Sequence, residues 1–186
     1  MKQKVAQILS KMFVVYYKTL YGKRVSFGKN VLINHKFELK GQGKLIIGDN
    51  CNLWTFEESN KFYLYSDIAE IRIGKGSRLN GITIHCQEKV SLGNNCLTGS
   101  AVIMDTDFHE FHDPSHILYN NPKSKPVAIG NNVWLCGQCA LLKGSSIGDN
   151  SVVGFRAVVT KSFPNDVVIA GNPAKIVKSK HVKNKK

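Results

Sequence analysis

Aliphatic residues in the second half of the chain fall at every sixth position: Ile129, Leu135, Leu141, Ile147, Val153 and Val159. Four residues after each of the first five stands a small or β-branched residue: Val133, Cys139, Ser145, Ser151 and Ala157. Gly follows the aliphatic residue in Ile129-Gly130, Ile147-Gly148 and Val153-Gly154. A helix repeats its apolar face every three to four residues and a strand every two, so neither element has this period. A repeat of six belongs to a parallel β-helix, with one short strand and one turn per hexad and three hexads to a coil. The aliphatic residue then points into the coil and the small one fits a crowded corner. Gly, Asn and Asp take the tight bend that follows.

The same beat appears earlier in Val25-Ser26-Phe27-Gly28-Lys29-Asn30, Leu45-Ile46-Ile47-Gly48-Asp49-Asn50 and Ile71-Arg72-Ile73-Gly74-Lys75-Gly76. It returns in Val90-Ser91-Leu92-Gly93-Asn94-Asn95 and Val127-Ala128-Ile129-Gly130-Asn131-Asn132. Between Val90 and Val127 the spacing is about one coil too long. The surplus, residues 106–125, is rich in His, Asp, Asn and Pro, the composition of an irregular excursion. Long loops in compact domains carry function or stay disordered, so this insertion is the first place to seek a site.

A coil stack has two open ends that must be covered. Val5, Ile8, Leu9, Met12, Phe13, Tyr16 and Leu20 recur at helical spacing and predict an amphipathic helix. Two readings of it stay open: a cap on the first coil, or a membrane-surface helix flanked by Lys2, Lys4, Lys11 and Lys18. Its apolar run, broken by Lys11, is too short to span a bilayer and lacks the features of a signal peptide. The expectation is a cytoplasmic protein, peripheral at most to the inner membrane face. The predicted organisation is a helical cap over 1–22, an all-β parallel β-helix over 23–170 with the loop 106–125, and a turn and basic tail over 171–186.

With 186 residues the chain fits one domain. Its net charge of +13 favours anionic partners. No nucleic-acid motif appears and the aromatics do not interleave with a basic patch, so no nucleic-acid partner is expected. A phosphorylated cofactor, an acidic glycan or a lipid surface accounts for the charge instead. Five cysteines is an odd count. Cys51 and Cys96 fall on inward corners of the repeat, as small buried residues do. Cys136 and Cys139 have Cys-x-x-Cys spacing, but zinc needs a second pair and none stands at suitable spacing. No metal is expected.

The densest chemistry lies in Asp105-Thr106-Asp107-Phe108-His109-Glu110-Phe111-His112-Asp113, with His116 beyond. Three histidines in a polar loop suit either a metal site or ordinary solvated side chains. The ordered set around them settles on a family. Asp105-Thr106-Asp107-Phe108-His109 precedes Val127-Ala128-Ile129-Gly130-Asn131-Asn132-Val133-Trp134, then Gly154-Phe155-Arg156-Ala157-Val158-Val159-Thr160-Lys161, then Gly171-Asn172-Pro173-Ala174-Lys175-Ile176-Val177. From about residue 25 to 178 the chain resembles the hexapeptide-repeat acyltransferases, in particular the galactoside/maltose acetyltransferase branch and its polysaccharide O-acetyltransferase relatives.

The resemblance implies a left-handed coil, which runs against the usual right-handed crossover. It implies a homotrimer with clefts between neighbouring coils, acetyl-CoA as co-substrate and no metal. His109 matches the general base, and an imidazole of pKa about 6.5 can take the proton of a sugar hydroxyl as it attacks the thioester. The backbone N–H of Gly137 matches the oxyanion donor. Thr160 and Lys161 match CoA contacts, Lys175 a basic residue near the cofactor phosphates, and Phe155 stands beside the pantetheine arm where many relatives carry Ala. Trp134, one place after an inward corner, faces outward to wall the cleft or to pack between subunits. Asp107 or Asp105 orients the imidazole, holds the acceptor sugar or is simply solvated; His112 is the rival base.

Trp54, Phe56, Phe62, Tyr63 and Tyr65 form an aromatic stretch suited to a trimer interface or to stacking on sugars. The expected activity is O-acetylation of a sugar hydroxyl in surface polysaccharide assembly. An N-acetyltransferase on a nucleotide-linked amino sugar, or a non-catalytic trimer, are the alternatives. A β-helix carbonic anhydrase is disfavoured, because His109, His112 and His116 lack the spacing of its zinc ligands.

Overall fold

The computed structural model describes residues 2–109 and 123–179. Within them the hexads wind into a parallel β-helix of three faces, visited in the order A, B, C. Face A stacks seven strands from Val25–Phe27 to Ser162–Phe163. Face B stacks six from Arg78–Leu79 to Lys175–Ser179, and face C six from Phe37–Gly41 to Val158–Val159. The sixth-position aliphatics meet one another in register. Leu92, Ile129, Ile147 and Phe163 form one inward column on face A. Leu135, Val153 and Ile169 form another on face B, and Ile103, Leu141 and Val159 a third on face C. All are buried, as are the corner residues Val133, Cys139, Ser145, Ser151 and Ala157. Each buried Val, Leu or Ile stabilises by about 1.5–3 kcal/mol, so the columns supply the driving force of the fold.

The bend between faces A and B shows why the repeat carries Gly and Asn. A Cβ on Gly130 would stand 2.8 Å from the backbone N of Asp149 in the next coil, closer than any side chain tolerates. Two residues later the backbone turns left-handed, with φ of 55° at Asn132 and 58° at Asn150. Asn accepts that region more readily than other side chains.

The N-terminal helix α1, Lys2–Tyr21, covers the first coil, but of the stripe its apolar spacing predicts only Phe13 takes part. Ser10 is buried against the coil, with Phe13, Val14, Tyr17 and Tyr21 packed beside it. The stripe Val5, Ile8, Leu9, Met12, Tyr16 and Leu20 faces solvent. The reason lies in what the open end presents. Its first coil offers unpaired peptide groups, and hydroxyls satisfy them. Ser10 Oγ donates to Val31 O at 2.9 Å and accepts from Ile33 N–H at 2.8 Å. Tyr17 and Tyr21 donate to the carbonyls of Phe37 and Leu39.

At the other end the expected basic tail is partly ordered. Lys175–Ser179 turns back antiparallel on Val167–Ala170 and covers face B. Of the aromatic stretch, Phe62 joins the core, while Tyr63 and Tyr65 face outward on face C.

Candidate active site

The excursion leaves the coil at the corner between faces C and A, after the strand Val102–Met104. Asp105 fixes the departure. Wholly buried, its carboxylate accepts N–H bonds from Gln87 (2.7 Å), Glu88 (2.8 Å) and Lys89 (2.7 Å), which turn the same corner one coil earlier. The outgoing and returning limbs close on each other: Lys125 N–H donates to Asp105 O at 2.8 Å, and Thr106 bridges Ser124. The Asp107 carboxylate pairs with the ammonium of Lys143, one coil later at the same corner. Both acids therefore tie down the base of the loop.

Phe108 has φ of 64°, a left-handed conformation that costs a bulky residue roughly 1–3 kcal/mol. Its ring packs edge-on against a flat plate formed by Tyr65 and His85, with centroids 5.6 and 5.2 Å away. The Tyr65 hydroxyl lies 2.6 Å from His85 Nδ1, and the two rings are parallel within 1°. Tyr63 stacks on His85 at 5.1 Å. Burial pushes the His85 pKa down and that of Tyr65 up. At neutral pH His85 is therefore uncharged, and its Nδ1 shares a hydrogen bond with the Tyr65 hydroxyl. This plate holds Phe108, and His109, the next residue, stands exposed at the corner. His112 and His116 lie outside the described residues.

A second group occupies the corner between faces B and C. The N–H groups on either side of Gly137 are used: Cys136 donates to Val153 O and Gln138 to Ser100 O, both at 2.9 Å. Gly137 accepts from Arg156 N–H at 3.2 Å, while its own N–H makes no hydrogen bond among the described residues. Ser100 and Phe155 hold the same corner position in the adjacent coils, where Gly137 carries no side chain of its own. The Phe155 ring comes 3.5 Å from where a Cβ on Gly137 would stand. Arg156 lies over that ring at 5.1 Å and donates to Gln138 Oε1 at 2.7 Å. Trp134 projects outward from face B in register with the exposed Leu97.

Thr160 and Lys161 return to the corner of the excursion two coils on, both exposed, with the Lys161 ammonium 5.7 Å over the Phe163 ring. Lys175 opens the return strand, also exposed. The structure thus places Asp107, His109, Thr160 and Lys161 along one edge of face C, and Trp134, Gly137 and Phe155 toward the other. Five residues, with the strand Ala140–Leu141 among them, lie between Gly137 and Lys143 across that face, a path of at most about 20 Å.

Cys139 is buried, its thiol pushed up to about 12, and Cys136 is half-buried. Among the described residues no three His, Cys, Asp or Glu side chains are grouped to hold a metal ion.

No family model matches the chain. A hexapeptide-repeat acetyltransferase of Vibrio cholerae, solved with acetyl coenzyme A, shares the fold with a TM-score of 0.63 at 20% identity, over 96% of this chain and 82% of that one. The galactoside O-acetyltransferase of Escherichia coli K12 is 32% identical over 170 residues, 87% of this chain and 78% of that protein. The chain belongs to the hexapeptide-repeat acetyltransferases. A second relative, which carries the name colanic acid biosynthesis acetyltransferase WcaF in the same organism, is 31% identical over 161 residues, 87% of this chain and 71% of that one. The protein is accordingly an acyltransferase. What the structure adds to this acetyltransferase beyond its motifs is the support of the loop: His85 and Tyr65 beneath Phe108, and Lys143 on Asp107. Their signal in the sequence was register alone, Tyr63 beside His85 beside Met104, which exists only once the strands are aligned.

Proposed function

We propose that this acetyltransferase moves an acetyl group from acetyl-CoA to a hydroxyl of a sugar acceptor, in assembly of a surface polysaccharide. The observation that carries the reading is His109, an exposed imidazole on a braced loop, in a chain 32% identical to a galactoside O-acetyltransferase. The name of the colanic acid relative supports the polysaccharide context. The five free cysteines suit a reducing, cytoplasmic compartment.

A sugar hydroxyl is a weak nucleophile. His109 takes its proton as the oxygen bonds to the thioester carbon, and the carbonyl becomes an oxyanion facing the Gly137 N–H. The C–S bond then breaks, the carbonyl re-forms, and the CoA thiolate takes the proton from the imidazolium. No acyl-enzyme is needed.

Base and oxyanion donor must both reach the reacting carbon, within about 3–3.5 Å of the attacking and developing charges. The width of face C keeps His109 and Gly137 of one chain apart. Two neighbouring copies in a ring bring the His109 edge of one against the Gly137 edge of the next, a heterologous contact that closes in a homotrimer with three equivalent clefts. Trp134 walls that cleft. Phe155 lies along the pantetheine arm, and Thr160, Lys161 and Lys175 meet the polar end of the donor, while Asp107 borders the acceptor.

His109→Ala tests the reading. Transfer to sugar acceptors falls by about 10²–10⁴-fold, the usual contribution of a general base, with CoA binding and oligomeric mass unchanged. Undiminished transfer by that variant refutes the assignment, and transfer to amino rather than hydroxyl acceptors refutes O-acetylation.

A further inference from the structure

The face that α1 turns away from the coil is apolar. Val5, Ile8, Leu9, Met12, Val15, Tyr16 and Leu20 are each 41–65% exposed. At 3.6 residues per turn these seven side chains span an arc of about 140°. Leu9, Met12, Phe13 and Tyr16 line a shallow hollow of about 320 Å³ on it. Lys4, Lys11 and Lys18, spaced seven apart, run along one border of the apolar arc. Lys23 and Arg24 continue the charge past the helix, and α1 contains no acidic residue. Ordinary soluble surfaces rarely leave so continuous an apolar strip uncovered.

The coil does not require this strip. Ser10, Phe13, Val14, Tyr17 and Tyr21 already make the cap. Charge decides which partner suits the free face. A second copy docked helix to helix adds its own lysines to these, with no carboxylate on either helix to offset them. An anionic lipid surface supplies the neutralising charge to the lysine border and an apolar layer to the strip at once. Because α1 lies on the end of the coil stack, its free face points away from the coil and meets a plane unobstructed. No helix among the described residues is long and apolar enough to cross a membrane, so the contact is one of lying on the surface.

We propose that α1 docks this protein on anionic bilayers, its apolar strip sunk among the acyl chains and Lys4, Lys11 and Lys18 at the headgroups.

The test is co-sedimentation of the full chain with vesicles of phosphatidylcholine and phosphatidylglycerol, and with vesicles of phosphatidylcholine alone. Binding is expected to the mixed vesicles and to weaken with salt. A Lys4→Gln, Lys11→Gln, Lys18→Gln variant binds about a hundredfold more weakly, at roughly fivefold per lysine near the surface. An Ile8→Glu, Met12→Glu variant loses binding while keeping its solution mass and its transfer to a soluble acceptor. These substitutions leave the lysines of the C-terminal segment in place, so binding that survives Ile8→Glu, Met12→Glu overturns the proposal. A change in solution mass without lipid overturns it too, because the face then joins copies of the chain. Failure to sediment with mixed vesicles does the same. Failure of vesicle binding leaves the proposed acetyl transfer untouched, because transfer to a soluble acceptor is read separately.

Discussion

Asn30, Asn50, Asn95, Asn132 and Asn150 all adopt φ of 55–58° at the same bend of successive coils. Their side chains bond upward from coil to coil, Asn132 Nδ2 to Asn150 Oδ1 at 3.0 Å and Asn30 Nδ2 to Asn50 Oδ1 at 3.1 Å. The bend thus selects Asn twice, for its backbone and for its amide. Phe108 has no such reason to be left-handed. Its conformation rests on the Tyr65–His85 plate, which makes His85 a positioning residue for His109. His85→Ala should lower kcat several-fold more than it changes KM, with His85→Phe, which keeps a ring, recovering part of the loss. A variant that alters only thermal stability contradicts this. The plate also predicts a pH signature. Burial holds the His85 pKa below its ordinary 6.5, so between the two values the unfolded chain binds more protons than the folded one. Stability contributed by the neutral ring is therefore present above about pH 6.5 and is lost as pH falls toward the folded value. Thermal melts on the acid side should show that slope in the native protein and lack it in His85→Phe.

At the scale of the element, α1 shows how an edge of peptide groups is closed. Ser10 acts as donor and acceptor at once, and Ser10→Ala strands the buried N–H of Ile33 and the carbonyl of Val31. The expected cost is about 1–3 kcal/mol in denaturant unfolding; a loss below a few tenths shows that the helix does not depend on that hydroxyl. Tyr17, its hydroxyl pushed up to about 12 by burial, stays a donor across the physiological range. The existence of this helix was legible in its period, but not its orientation. An apolar stripe ordinarily marks the buried face, and here the partner is a row of carbonyls, so hydroxyls turn inward and the stripe apart from Phe13 is left out. The return strand Lys175–Ser179 was hidden for a related reason. Lysines and polar residues read as tail, while the unpaired edge of Val167–Ala170 recruits them for their backbone alone.

For the molecule as a whole, the sixth-position aliphatics were enough to specify the coil, because each hexad repeats the same burial and the same bend. His109 stood out as a candidate through the motif around it. The bracing of its loop did not, since Asp105, His85 and Lys143 come from coils distant in sequence and meet only through register. Nor could spacing reveal that face C separates His109 from Gly137. In the proposed function, that separation calls for a site shared between copies, with the donor bound between them. The most direct measurement is calorimetric titration of the purified protein with acetyl-CoA, alongside its mass by light scattering. The account predicts a trimer that binds about one acetyl-CoA per chain, as three equivalent clefts require, and more weakly as salt screens the lysines. A well-folded protein that binds neither acetyl-CoA nor free CoA would contradict it.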